Sequence, residues 1–408
     1  MRLYLKLAWR NLFRNKRRTF IAGTAIGIGL AALIFVDALW LGMEKNMIHS
    51  ATASFLGEGQ IHREGFLETF EVEKTIANLD QVTARLKDEN IISHFTLRTL
   101  SFSMISSPAN ISAVTMVGIK PVTEKHLSQI DEALIEGAYF DGNNERDILI
   151  GSKLAELLEV GLGDRVVLTV AEAHTGDLAQ AMFRISGIYH FNIIEMDKAM
   201  VFVRLSKARE MLNLRGEAHE IAITFTDTER GRTESIPFWS SYSTEGNKAQ
   251  GWTELLPELK AVFELSSFST WIVGLILFAV VAVGIVNTLF MSLYERMFEF
   301  GVLRAVGTRP WALARLILFE AASLAVVSSV LGIILGFIVT YIFAHTGIDY
   351  TGIEFAGVTF RELLYPIMQL KQFVYYPLWV LIITPLIGLY PAVYAARMKP
   401  VKAMRRSF

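Results

Sequence analysis

Apolar residues fall into two regimes along this chain. In four stretches they run almost unbroken; between the first and second of these they come in short bursts divided by polar turns. The long runs are 20–42, 268–292, 313–344 and 373–396. Each exceeds the ~18 mostly apolar residues needed to cross ~30 Å of hydrocarbon, so each predicts a membrane-spanning helix. The first, FIAGTAIGIGLAALIFVDALWLG, reaches ~34 Å at ~1.5 Å per residue. Its apolar core is longer than the ~7–15 residues of a secretory signal and no A-x-A site follows it, so it reads as an uncleaved anchor.

The region between, 43–267, is patterned like a folded domain. Strands are predicted at 111–119, 147–150, 165–170, 181–190, 198–205 and 220–225, where β-branched and apolar residues cluster or alternate. SKLAELLEV at 152–160 has helical spacing with Ser152 as a candidate N-cap, and Ser206 is expected to cap a short helix through Leu212. Gly161-Leu162-Gly163-Asp164 turns the chain between helix and strand. This alternation predicts an α+β domain. Residues 231–251 are polar and read as a loop, and a helical pattern from Thr253 leads into the second span.

Charge orients these segments. The chain is 52% hydrophobic and 19% charged, below the ~25% charged residues usual in soluble domains, with a formal net charge of −1. That neutrality is an average. Segment 1–19, the connection between the second and third spans extended to Arg315, and the tail after the fourth span hold 16 basic and 2 acidic residues. Residues 43–267 hold 21 basic and 33 acidic. The positive-inside rule therefore predicts cytoplasmic termini and an extracytoplasmic domain. Nucleic-acid binding is disfavoured by the absence of a basic excess. With no cysteine there is no disulfide framework, thiolate metal site or cysteine nucleophile.

Little else suggests chemistry. The eight histidines show no i,i+4 pairing and no H-E-x-x-H, so core or surface roles outweigh metal ligation. Neither G-x-S-x-G nor G-x-x-x-x-G-K-[ST] occurs, so no nucleophile elbow or phosphate-cradling P-loop is present. No catalytic, cofactor or metal site is expected in the chain. Within the spans, Asp37 is expected at a wet outer interface, Asn287 in an interhelical hydrogen bond, and Glu320 near the cytoplasmic face against Arg315 or Arg304. Gly23 with Gly27 and Gly332 with Gly336 form G-x-x-x-G pairs that predict close helix packing.

The connection YERMFEFGVLRAVGTRPWALARLILFE carries the strongest local signal. Met297, Phe300, Val302, Leu303 and Val306 form an apolar stripe, while Glu295, Arg296, Glu299 and Arg304 supply polar contacts. Gly301 thins one side, and Gly307 with Pro310 ends the helix. Two readings follow: an interfacial helix lying on the bilayer, or a docking helix for a cytoplasmic partner.

This connection resembles the coupling helix of FtsX-like ABC transporter permeases, whose E-x-G-x-L-R-A-x-G core stands here as Glu299, Gly301, Leu303, Arg304, Ala305 and Gly307. LAWRNLFRNKRRTFIA at 7–22 is similar to that family's elbow helix and first-span entry. YPAVYAARMKPVKAMR at 390–405 resembles its tail, with Met404 in place of the usual Leu. GEGQIHREGF at 57–66 and ILIGSKLAELLEVGLGDRVVLTV at 148–170 resemble the MacB-type periplasmic core domain.

The resemblance implies an α-helical membrane protein with four transmembrane helices plus an extracytoplasmic α+β domain. Its expected parts are an elbow helix at 1–19, spans at 20–42, 268–292, 313–344 and 373–396, an outer domain at 43–267, a coupling helix and loop at 293–312, an outer loop at 345–372 and a cytoplasmic tail at 397–408. It further implies a bacterial inner-membrane permease that pairs with a second copy or paralogue. Two cytoplasmic ATPase subunits would carry the ATP and magnesium, and a periplasmic lipoprotein carrier or adaptor is a further implied partner. The branch closest in look is that of the lipoprotein-releasing permeases LolC and LolE. The segment AEAHTGDLAQA at 171–181 is short and proline-free, unlike the long carrier-recruiting hook of LolC. Lipoprotein release, efflux of peptides or hydrophobic toxins, and regulation of a cell-wall hydrolase all stay open on these residues.

Overall fold

The computed structural model describes all residues except 1, 15, 141, 143, 192, 228–230, 232–235, 352, 356–357, 360–362 and 399–408. Most of the tail expected at 397–408, Met404 included, therefore lies outside the described residues. Two compact units emerge: a helical unit of Met1–Lys45, Phe263–Tyr350 and Glu362–Phe408, and a sheet unit of Asn46–Val262 with Thr351–Arg361.

In the helical unit the main elements are α1 (Arg2–Arg14), α2 (Lys16–Ala51), α3 (Pro257–Glu295), α4 (Met297–Ala305), α5 (Pro310–Thr346) and α6 (Gln372–Ala396). Four of them, α2, α3, α5 and α6, are long and apolar enough to cross a membrane. Helix α3 is unbroken from Pro257; the helical pattern read from Thr253 is interrupted at Leu256, where a short helix Trp252–Leu255 ends. Proline explains the restart, since it lacks the N–H that a first-turn residue would leave unpaired anyway. Pro310 opens α5 in the same way. Three prolines inside α6, Pro377, Pro385 and Pro391, each remove a backbone donor, which spanning helices tolerate where neighbours compensate.

One core joins the four long helices: Ile26, Leu30 and Ile34 from α2, Ile285 and Leu289 from α3, Ala321, Leu324 and Ala325 from α5, and Val380 from α6. The α2–α5 crossing is set by glycine. A Cβ built on Gly332 would lie 2.8 Å from the Leu30 Cβ and 2.9 Å from the Gly27 carbonyl oxygen. One on Gly336 would lie 3.3 Å from the Ala31 Cα, and one on Gly23 3.7 Å from Ser328 Oγ. Such close backbone approach is what G-x-x-x-G spacing permits. Asn287 stands apart, exposed on α3.

Two span acids have partners other than those expected. Asp37, half-buried, has partners on α6 that the sequence did not indicate: Gln372 Nε2 donates to it at 2.9 Å and the Tyr376 hydroxyl also bonds it. Glu320 pairs neither with Arg315, which is exposed, nor with Arg304, whose guanidinium turns to its own helix end; Arg296 takes that place.

In the sheet unit the strands are β1 (Gly59–Arg63), β2 (Ile92–Ser106), β3 (Ile111–Ile119), β4 (Leu134–Gly137), β5 (Asp147–Gly151), β6 (Arg165–Ala171), β7 (Leu178–Tyr189), β8 (Met200–Arg204), β9 (Glu220–Phe225) and β10 (Asn247–Gly251). They form one mixed sheet in the order β10-β1-β9-β2-β3-β8-β5-β7-β4, with β6 pairing both β2 and β7. That double pairing closes β2, β3, β8, β5, β7 and β6 into a ring. Closure removes exposed strand edges and encloses a dry core of Ile105, Met116, Ile148, Leu168, Phe183 and Val201. The β3–β8 and β5–β7 pairs are parallel and the other pairs antiparallel.

Three local expectations need correction. Ser152 is the first residue of its helix rather than its cap; its hydroxyl pairs with His190 Nδ1 at 2.9 Å instead. Ser206 likewise lies inside a helix, Leu205–Met211, because β8 runs directly into it from Arg204. Residues 231–251 are not simply a loop. Pro237–Tyr242 is helical and buries Phe238, Trp239 and Tyr242, and β10 pairs with β1 in the register Gly59↔Gly251 to Arg63↔Asn247. Few apolar side chains mark β10; its backbone ladder holds it.

A second buried feature lies beside the ring. Arg98 on β2 is fully buried, with Nη2 2.5 Å from Glu124 Oε1 and Nη1 2.6 Å from Glu220 Oε1. Its guanidinium carbon stands 3.9 Å from the Phe55 ring centroid. Phe55 belongs to the π-helical turn Thr52–Leu56 that follows α2.

Candidate functional site

The chain leaves α3 at Glu295, breaks for one residue at Arg296 (φ −106, ψ 14) and re-enters helix as α4. That break splits the apolar stripe in two. Met297, Phe300 and Gly301 are buried, and Met297 and Phe300 pack with Leu293, Leu313, Leu316, Ile317, Ala392 and Ala395. Val302, Leu303 and Val306 point outward, Val306 being 83% exposed, and Phe298 and Trp311 join them. Helix α4 is thus keyed to the bundle on one side and presents an open apolar face on the other. A nine-residue helix with alternating burial of this kind is an amphipathic element whose outer face needs either lipid or a partner.

The predicted site residues divide accordingly. Leu303 and Ala305 lie on the open face, and Glu295 is exposed at the end of α3. Gly301 is buried within α4. Gly307 adopts φ +99, a conformation that favours glycine, and ends the helix; a Cβ there would meet no neighbour, so its role is conformational. Arg304 sits in the last turn and its Nη1 donates to the Thr308 carbonyl at 3.3 Å, complementing the negative end of the helix.

Arg296 and Glu299 are drawn into an ionic network. Arg296 Nε donates to Glu299 Oε2 at 3.1 Å and Nη1 to Glu320 Oε2 at 3.3 Å. Ser292 Oγ donates to Glu320 Oε1 at 2.9 Å, and Arg14 Nη2 of α1 donates to Glu299 Oε1 at 2.9 Å. Burial pushes the Glu299 carboxyl upward, but the hydrogen bonds and charges of Arg14 and Arg296 outweigh it and hold the group below its ordinary value. Arg14 and Ser292 were not legible as members, and Glu320 was expected against Arg315 or Arg304; they lie 285, 7 and 21 positions from Glu299, and the fold brings them into one network.

Among the described residues no cluster of histidine and carboxylate side chains could hold a metal ion. The segment 171–181 is a compact hairpin, with β6 ending at Ala171 and β7 starting at Leu178.

Four helices long and apolar enough to cross a membrane, a short amphipathic helix between two of them and a closed-sheet unit define a multi-span membrane protein with a folded domain. The family model for the MacB-like periplasmic core domain matches residues 19–232, more than half of the chain, and that for the FtsX-like permease C-terminal region matches 271–400. The chain belongs to the FtsX-like permeases that carry a MacB-like periplasmic core domain, and is an ABC transporter permease of the LolC/MacB type.

It is 20% identical over 338 residues to the lipoprotein-releasing system transmembrane protein LolC of Neisseria meningitidis serogroup B, covering 82% of this chain and 79% of that one. The macrolide export ATP-binding/permease protein MacB of Campylobacter jejuni is 21% identical over 420 residues, covering 98% of this chain and 61% of that protein. The periplasmic region of MacB from Actinobacillus actinomycetemcomitans aligns at 12% identity with a TM-score of 0.34, covering 50% of this chain and 92% of that one.

Proposed function

We propose that this chain is the membrane subunit of a mechanotransmission transporter. Two separate ATPase subunits, which bind ATP and magnesium, dock on α4, and their closure moves the spans and through them the sheet unit. In this reading α1, α4 and both termini are cytoplasmic and the sheet unit is periplasmic, as the basic flanks of the spans support. The permease works as a pair, with a second copy or a paralogue, in a bacterial inner membrane. Its cargo is a lipoprotein or another amphiphile, extracted from the outer leaflet and handed to a periplasmic carrier.

The observation that carries the reading is the two-sided α4. Phe298, Val302, Leu303 and Val306 face outward while Met297 and Phe300 are packed into the bundle. Glu299 also ties α4 to Arg296 at the α3 break and to Arg14 of α1, which holds the outer face in a fixed orientation. Similarity to LolC favours a lipoprotein over a small toxin as cargo.

The test is purification of the full chain from its native membranes with copurifying ATPase subunits, followed by mass spectrometry of bound lipoprotein and lipid. Val306→Glu and Leu303→Glu are expected to weaken ATPase association by at least about tenfold, the effect of ~1.4 kcal/mol. Unchanged association in both variants would sink the docking assignment. Recovery of peptides or macrolide-like molecules in place of acylated protein would move the cargo to the efflux class.

A further inference from the structure

The network around Arg296 is graded in burial from one end to the other. Arg14 and Glu299, the outer pair, have side chains 58% and 42% exposed. Arg296 and Glu320, the inner pair, are at 10% and 7%. Charges that remain in water interact weakly and are screened, whereas a pair removed from water is strongly held once formed. The outer link is therefore easily exchanged for a link to another molecule, and the inner link is not. Arg296 also stands at the single-residue break between α3 and α4, and its guanidinium carbon is 4.9 Å from the Phe300 ring centroid, so its head is fixed on the buried side of α4.

We infer that Arg296 is a positioning residue that passes displacement of α4 to α5 through Glu320, and that Arg14–Glu299 is the releasable contact that a docking partner exchanges. This rests on the docking reading of α4 and deepens it by naming the route from the docking face to a span. The backbone does not supply that route by itself, because α4 ends at Ala305 and Gly307 with φ +99 separates it from α5. Met297 and Phe300 pack on Leu313, Leu316 and Ile317 of α5, and the ion pair adds a directional link to that apolar contact. The side-chain link from Arg296 to Glu320 bypasses the joint and enters α5 two turns and more beyond Pro310. Ser292 fixes the second oxygen of Glu320, so the carboxylate cannot swing away when Arg296 pulls on it.

The absence of cysteine makes the test clean. Spin labels are placed at Val330→Cys on α5 and Trp379→Cys on α6, both exposed, in the full chain purified with its ATPase subunits and reconstituted in lipid nanodiscs. Distances are measured with and without ATP and vanadate. In the otherwise wild-type complex the distance is expected to change. In Arg296→Met and in the conservative Glu320→Gln that change is expected to shrink, with ATP-driven coupling falling by up to about tenfold, inside the range of site-to-site couplings, while in Glu320→Gln ATPase association stays within about twofold. The double exchange Arg296→Glu with Glu320→Arg is expected to restore part of the change.

A wild-type distance change in Glu320→Gln overturns the inference. So does loss of ATPase association in that variant, because the pair would then hold the docking surface together and pass no motion. Failure of the double exchange to restore anything, with both single variants inactive, overturns the pairing as well. The docking reading itself fails by a different result, unchanged ATPase association in Val306→Glu.

Discussion

Arg98→Met tests how the sheet unit is held. Two buried carboxylates, Glu124 and Glu220, share the Arg98 guanidinium through charge-assisted contacts of 2.5 and 2.6 Å, and all three side chains are essentially inaccessible. Stripping the partner from a buried ion pair costs ~3–5 kcal/mol, because the remaining charge has neither water nor a counter-ion. Loss of the cation–π contact to Phe55, at 3.9 Å, adds up to ~2 kcal/mol in a desolvated site. Against a typical domain stability of ~5–15 kcal/mol, the variant should be poorly folded at neutral pH.

Its pH dependence carries a second signature. Burial raises the Glu220 carboxyl, and Arg98 opposes that rise. Without Arg98 the carboxyl moves further up, so the folded variant binds protons more readily than the unfolded chain, and its stability relative to wild type should increase as pH falls. The assay is pulse proteolysis in urea on the full chain in detergent micelles, reading cleavage within 46–262 from pH 5 to 8. Taking variant minus wild type cancels losses that both share. A single variant within ~1 kcal/mol of wild type, or a difference that is flat with pH, would refute the argument that this triad is a dry, mutually dependent unit. Arg98→Met with Glu124→Leu and Glu220→Met should recover most of the loss, since an apolar replacement of the whole group removes the unpaired charge.

Two further outcomes follow from a buried histidine and from glycine packing. Burial, aided by the nearby Lys248, lowers His62 to about 4, and the ring is 1% exposed; because the unfolded chain protonates near 6.5, stability should be full above that pH and fall between 6.5 and about 4, by roughly 3 kcal/mol at ~1.4 kcal/mol per pH unit. His62→Leu should abolish that acid loss in the same proteolysis assay, and an unchanged acid midpoint would show that other groups control it. Gly332→Leu should weaken the helical unit by ~1–3 kcal/mol, since a Cβ there already lies 2.7–2.9 Å from Leu30 and Gly27; Gly284→Ala, with nothing within 4 Å of its Cβ, should change stability by less than ~0.5 kcal/mol. Thermal inactivation in micelles, scored as loss of monodisperse protein, separates the two, and equal behaviour would remove glycine packing as the basis of the α2–α5 crossing.

How much of this was legible in the primary structure differs by level. The four spans are visible because an uninterrupted apolar run of that length has few other stable fates, and each of the four runs lies inside one helix. Strands such as Ile111–Ile119 and Glu220–Phe225 declare themselves by β-branched residues around a buried core. Short elements whose stability is borrowed were hidden. The helix Pro237–Tyr242 is anchored by three aromatic side chains within a polar segment, and β10 by its ladder to β1. The closed ring was also out of reach: β6 and β7 form a local hairpin, but the ring closes only because β6 also pairs β2, as in Ser106↔Val167 and Ser103↔Val170, across a long stretch of chain.

The same division runs through the candidate site. Residue types alone determined that the 293–312 connection would hold a helix bearing apolar and charged positions and that Gly307 would end it. They could not determine which apolar residues face in and which face out, since the one-residue break at Arg296 resets the helical phase and only packing against α5 and α6 chooses it. Nor could they find the arginine that pairs with Glu320: Arg304 and Arg315 are nearer in the chain than Arg296 and carry the same charge, so the sequence pointed to them. Burial made that choice, because a carboxylate enclosed by three helices is stable only beside a cation whose own stem is packed with it, and Arg296 alone of the three is held there.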